Sequence, residues 1–123
     1  MSRFCFTSPH HLFQILLLLI NFASGCHAPQ EVEIHPEVKA SPRAGVTITN
    51  RDNFTYPRVT VFVKGFYTAE AGDIAAGQSV QIPFDSFVDD GGHHFDITTM
   101  KPEAIRIRAW LNGQAASKIF QVK

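Results

Sequence analysis

A chain of 123 residues with eleven basic, eleven acidic and 45% apolar side chains has material for one domain and little more. A formal charge of zero gives no electrostatic footprint for a nucleic acid, and two cysteines cannot build the disulfide framework of a stapled miniprotein. Any domain here must be held by an apolar core.

The first predicted element is an export signal. Arg3 precedes an apolar run from Leu12 to Ile20, broken once by Gln14, which gives way at Asn21 and ends in Ala23-Ser24-Gly25 before Cys26. Crossing a ~30 Å hydrocarbon core takes about 20 apolar residues, so a processed signal is preferred over a spanning helix. Ala23-Ser24-Gly25-Cys26 resembles the lipobox of bacterial lipoprotein signal peptides, a small apolar tetrad ending in the cysteine that is acylated and becomes the first residue. The resemblance implies a signal at 1–25, a lipid on Cys26 and a place at a membrane of the bacterial cell envelope. Ala23 stands where that family usually has leucine. Ala23 and Gly25 also suit ordinary signal peptidase, which would give a secreted soluble protein. Cleavage after Ala28 is poorer because Pro29 follows, and an uncleaved anchor helix is the remaining alternative.

Removal of 25 residues leaves 98, which carry all eleven acidic and ten of the eleven basic side chains, a net charge of −1 that argues against a nucleic-acid partner. Cys5 leaves with the signal and a lipid would block Cys26, so no internal disulfide is expected. Residues 26–43 contain Pro29, Pro36 and Pro42 among Glu31, Glu33, Glu37 and Lys39, with no helical period, and read as a tether. Residues 27–43 would reach at most ~55 Å extended and about 20 to 25 Å as a coil. Within them Val38 to Ala40 is a candidate first edge strand, with Glu31 to Ile34 as its competitor.

From residue 44 short alternating runs alternate with turn residues, the pattern of a β-sandwich. Val46 and Ile48 lead to a turn at Asn50-Arg51-Asp52-Asn53. Val59, Val61 and Val63 lead through Lys64-Gly65 into Phe66-Tyr67-Thr68. Ala76-Gly77-Gln78 precedes Val80, Ile82 and Phe84, where Pro83 marks an edge or a strand end. Ile105, Ile107, Ala109 and Leu111 run into the turn Asn112-Gly113, and Ser117 to Val122 closes the chain. The expected fold is all-β, a single immunoglobulin-like antiparallel β-sandwich of about seven strands over 44–123.

The segment Ile105-Arg106-Ile107-Arg108-Ala109-Trp110-Leu111-Asn112-Gly113 resembles the penultimate strand and turn of fibronectin type III and related immunoglobulin-like domains. It departs from them at Glu103, near the place of their tyrosine corner, and in lacking a tryptophan in the early strands. The wider pattern of Ile48-Thr49-Asn50, Gly65-Phe66-Tyr67, Phe87, Gly91-Gly92, Phe95 and Lys101-Pro102 is similar to small bacterial exported proteins of unknown role. Together these resemblances imply an architecture and no activity.

Chemistry-bearing patterns are sparse. Asp90, His93, His94 and Asp96 could be imagined as a metal loop. The run lacks both the acidic spacing of an EF-hand and the i, i+4 histidines of a zincin, and a Gly-Gly turn pinned by Phe87 and Phe95 is the better reading. Asp85, Asp89 and Asp96 mark no substrate cleft. No Gly-x-Ser-x-Gly elbow surrounds Ser41, Ser79, Ser86 or Ser117, and the sequon Asn53-Phe54-Thr55 reads as a turn. No catalytic residue, metal or cofactor is expected. Strand parity is more informative. With Val59, Val61, Val63, Ile105, Ile107, Ala109, Phe120 and Val122 inward, Phe62, Trp110 and Ile119 turn outward beside Arg106, Arg108 and Gln121. Aromatics with arginines compose a possible partner-binding face. The expected function is a non-enzymatic, lipid-anchored envelope module for structure or interaction with an unidentified protein or glycan. The alternatives are a secreted module binding glycans or small ligands, with aromatics stacked on sugar rings, and a small metal-dependent protein using the Asp90–Asp96 loop.

Overall fold

The strands form where apolar residues alternate, and two of the hairpins turn at paired residues of positive φ, Lys64-Gly65 and Asn112-Gly113. The structure, a computed structural model, describes residues 32–122. Its strands are β1 (Pro36–Ser41), β2 (Gly45–Asn50), β3 (Tyr56–Val63), β4 (Tyr67–Ile74), β5 (Ser79–Ile82), β6 (Ala104–Leu111) and β7 (Gln114–Gln121). They make two antiparallel sheets, β1-β2-β5 and β4-β3-β6-β7. The seven-strand, two-sheet fold is the one the alternation predicts, and the third, sixth and seventh strands share a sheet.

Strand β6 shows the rule most clearly. Ile105, Ile107 and Ala109 are fully buried while Arg106, Arg108 and Trp110 are only half-buried on the other side. Leu111 pairs with Gln114 across a two-residue turn in which Asn112 and Gly113 both have positive φ, the geometry that matches strand twist and favours Asn-Gly. Val46 and Ile48 from one sheet meet Val59, Val61, Val63, Ile105 and Ile107 from the other in the core. In β7 Ala116 is buried and Phe120 half-buried, so the even positions face inward and Ile119 outward.

The chain from Phe84 to Pro102 is pinned at three aromatics. Phe84, Phe87 and Phe95 are buried, with Phe95 edge-on to Tyr67 at a centroid distance of 5.3 Å. Val88 exchanges hydrogen bonds with Thr68, at 2.8 and 3.1 Å, and bridges to His94, so the segment adds a rung along the open edge of β4. The aromatic face of β6 lies elsewhere.

The N-terminal boundary differs from the expected one. Residues 32–43 are not a tether: Ile34 is 1% exposed and β1 fills Pro36–Ser41 within the proline-containing range. Prolines did not prevent this, because Pro36 is the first residue of an edge strand and Pro42 lies in the turn beyond it. A polar knot then fixes the segment. The His35 amide donates to Asp52 Oδ2 at 2.8 Å and to the Tyr56 hydroxyl at 3.2 Å, and that hydroxyl donates to the same carboxylate at 2.6 Å. Burial opposes ionisation of Asp52, but the bonds from Tyr56 and His35 outweigh it and hold the carboxyl below its ordinary value. Burial and then the nearby carboxylate raise the pKa of Tyr56, which therefore remains a neutral donor.

This knot makes a testable contribution to stability. Asp52 binds a proton less readily folded than unfolded, so its contribution is present at neutral pH and lost as pH falls below about 4. Tyr56→Phe keeps the buried ring and removes the hydroxyl, leaving Asp52 with one donor fewer, and should cost about 1 to 2 kcal/mol at pH 7. Urea denaturation at pH 7 and at pH 3 checks both statements, since the difference between wild type and variant should narrow at the lower pH. An unchanged difference would show that the carboxylate is not the partner that matters.

Candidate functional site

The polar loop resolves into turn chemistry. Asp89 Oδ1 accepts from the amides of Gly91 and His93 at 3.0 and 2.8 Å, and the His93 ring lies 3.2 Å from the same carboxylate. These bonds, the His93 amide first, hold the Asp89 carboxyl below its ordinary value. Asp96 Oδ1 accepts from the hydroxyl and amide of Thr98, at 2.6 and 2.9 Å, which lowers its pKa likewise. His94 Nδ1 sits 2.7 Å from the Asp85 carbonyl. Asp90, His93, His94 and Asp96 are not brought together, and among the described residues no three His, Cys, Asp or Glu side chains converge on a point that could hold a metal. Cys26 and the signal segment lie outside the described residues.

The outer face of β4-β3-β6-β7 is different. Register places Phe62 opposite Arg106 and Arg106 opposite Ile119, making one cross-strand row; Thr60, Arg108 and Ser117 make the next, and Trp110 with Ala115 the third. Period-two alternation along β6 carries Arg106, Arg108 and Trp110 to one side at a spacing of ~6.8 Å. The Arg106 guanidinium carbon lies 4.1 Å from the Phe62 ring centroid, and that of Arg108 lies 4.9 Å from Phe62 and 5.4 Å from Trp110. Each such contact is worth about 0.5 to 1 kcal/mol where exposed and more where desolvated. Stacking fixes Arg108 so closely that its Nε is shut from solvent without a protein acceptor. Ile119 completes the row at 60% exposed. All five side chains expected on one face are there together.

Sequence reasoning missed a sixth. Arg58 lies 5.7 Å from the Trp110 ring: alternation with Val59, Val61 and Val63 turns it outward with Phe62, and the register of Thr60 with Arg108, continued by two residues, sets it against Trp110. The strand is also irregular at this point. Arg58 has φ +46°, the register with β4 shifts on either side of Val59, and the Arg58 amide donates to Asp73 Oδ1 at 2.9 Å. Gly72, with positive φ opposite Val59, marks the irregularity in the sequence.

The face is cationic in a particular way. Ion pairs among the described residues engage Lys39, Arg51, Lys64 and Lys118, and none engages Arg58, Arg106 or Arg108. Two carboxylates lie nearby: Glu70, which accepts from the Thr60 hydroxyl at 3.1 Å, and Asp73, which accepts from the Arg58 amide. Three guanidinium groups thus face outward with donors left for an incoming acceptor. The arrangement can bind anionic groups.

Comparisons of the chain with protein-family models, with curated proteins and with solved structures find no match.

Proposed function

We propose that the chain is a non-enzymatic, lipid-anchored protein of the bacterial cell envelope, acylated at Cys26, whose immunoglobulin-like sandwich offers one sheet face as a binding surface. The observation that carries the reading is the ladder of Phe62, Arg106, Arg108 and Trp110, joined by Arg58 and Ile119, in which rigid aromatics and arginines share one sheet face. Arginine and tryptophan are the residues most enriched where binding energy concentrates, and stacking orders these arginines before a partner arrives. A glycan stacked on bare rings is the weaker alternative, because guanidinium groups already cover the Phe62 and Trp110 rings.

Two measurements test the two halves. Cys26→Ser should release the protein from membranes or leave it unprocessed, because stable attachment requires the buried methylenes of two or more acyl chains, at about 0.8 kcal/mol each. A wild-type protein with an unmodified amino terminus at Cys26 removes the anchor. A photo-crosslinker at Ile119 should give an adduct in cells that is lost on Arg108→Gln, while one at Lys39, on the opposite sheet, should not. Equal labelling from both positions removes the face.

A further inference from the structure

We infer that the partner of this face is an anionic phospholipid surface, an inference that rests on the reading of the face given above and names its ligand. The first argument is charge: Arg58, Arg106 and Arg108 carry donors that no carboxylate of the described residues engages in an ion pair, and phosphate is an acceptor their planar groups fit. The second is apolar content. Among the described residues the two large hydrophobic side chains that are exposed are Ile119, at 60% and in the row of Arg106 and Phe62, and Phe66, at 56% in the β3–β4 turn that closes the same sheet. Cations mixed with exposed apolar side chains suit an interface where headgroups give way to acyl chains.

Size points the same way. The ladder runs ~14 Å along β6 and ~10 Å across β3, β6 and β7, an outline on the order of 140 Å², well short of the ~800 Å² that a stable complex buries on each folded partner. A lipid surface has no such requirement, since each headgroup is an independent acceptor.

The place of Glu33 supplies the last argument. Glu33 Oε2 lies 3.7 Å from Lys118 Nζ of β7, so the chain leaves the domain at the β7 border of this sheet. Six residues then lead back from Val32 to Cys26, at most ~20 Å of extended chain. A lipid on Cys26 would hold the face within a short, fixed reach of headgroups and raise their effective concentration.

The test uses the full chain carrying Cys26→Ser, so that no acyl group contributes, sedimented with vesicles of phosphatidylcholine alone or mixed with phosphatidylglycerol. The apolar signal run can partition into both, so the readout is the ratio of the two partition coefficients. Anionic vesicles should be favoured, the preference should fall with added salt, and neutralising Arg58, Arg106 and Arg108 to Gln should reduce it about 100-fold, or about 5-fold for Arg106→Gln alone. A control with the same charge loss away from the face, Lys39→Gln, Arg43→Gln and Lys101→Gln together, should retain most of the preference. No preference in the parent chain, or equal losses in the two triple variants, overturns the inference; the single variant decides if the triple one does not fold. Separately, the mass of the wild-type amino terminus reports acylation. A vesicle preference with unmodified Cys26 supports the face and removes the anchor, whereas acylated Cys26 without a preference keeps the anchor and sinks the lipid partner.

Discussion

Gly45→Ala should destabilise the domain by about 3 kcal/mol or more, a large share of the 5 to 10 kcal/mol expected for about 90 residues. Gly45 opens β2 with φ +84°, where an L side chain is strained by about 1 kcal/mol. The larger effect is contact. A Cβ added there would fall inside the van der Waals envelope of the Ile82 carbonyl oxygen and lie 2.7 Å from Pro83 Cα. Both obstacles are backbone, and Ile82 is paired with Val46 in the β2–β5 ladder, so neither can swing aside without breaking that pairing. Gly72→Ala is the matched comparison: φ is +72° but nothing lies within 4 Å of the added carbon, so only the conformational cost of about 1 kcal/mol is expected. Trp110, the single tryptophan, is a fluorescence reporter for denaturant titration of both variants. Equal shifts of the two midpoints would mean that β5 yields and the close approach does not matter.

What the sequence made legible was what depends on period and on turn chemistry. Ile105 to Leu111 alternate without interruption, Asn112-Gly113 admits few conformations other than a tight hairpin, and from these two features the direction of Arg106, Arg108 and Trp110 follows. Features that depend on one unusual residue conformation were not legible. The positive φ of Arg58 and the register shifts on either side of Val59 are of this kind, since a period-two reading turns Arg58 outward but has no means of registering an extra residue. The start of the domain was obscured for a related reason: three prolines and three carboxylates lower the β signal of residues 26–43, while the groups that fix them, Asp52 and Tyr56, stand about 20 residues further on. The lipid reading of Cys26 draws on motif chemistry alone, and the face draws on geometry alone; they become one mechanism only through the short length of chain between Cys26 and Val32.

Asn50 shows how much a residue read as part of a turn can hold. Its position at the end of β2 is fully buried, and every polar group it has is used. Nδ2 donates to the carbonyls of Phe54 and Ile74 at 2.7 and 2.9 Å, Oδ1 accepts from the Asp52 amide at 2.9 Å, the backbone amide donates to Gln78 at 3.0 Å and the backbone carbonyl accepts from Gly77 at 2.9 Å. One side chain therefore joins the β2–β3 loop to the end of β4, and its backbone adds the β4–β5 turn. Asn50→Ala would leave two carbonyls and an amide without partners where water has little access, and should cost about 3 to 5 kcal/mol. Asn50→Asp distinguishes the donor from the volume. It keeps the acceptor for Asp52 but sets a second oxygen against the Phe54 and Ile74 carbonyls, so at pH 7 it should be at least as damaging as alanine. Those carbonyls favour the protonated carboxyl and raise its folded pKa above the unfolded value. Stability relative to wild type is therefore regained as pH falls through that range, because a neutral carboxyl can donate to one of the two carbonyls. The expected result is a pair of urea midpoints in which Asn50→Asp improves on Asn50→Ala at pH 4 but not at pH 7. Indistinguishable variants at both pH values would show that the Nδ2 donor is not what holds the loop. The outcome bears on the face as well, since the same loop leads into Tyr56 and then Arg58, and its loosening should shift the emission of Trp110 before the core unfolds.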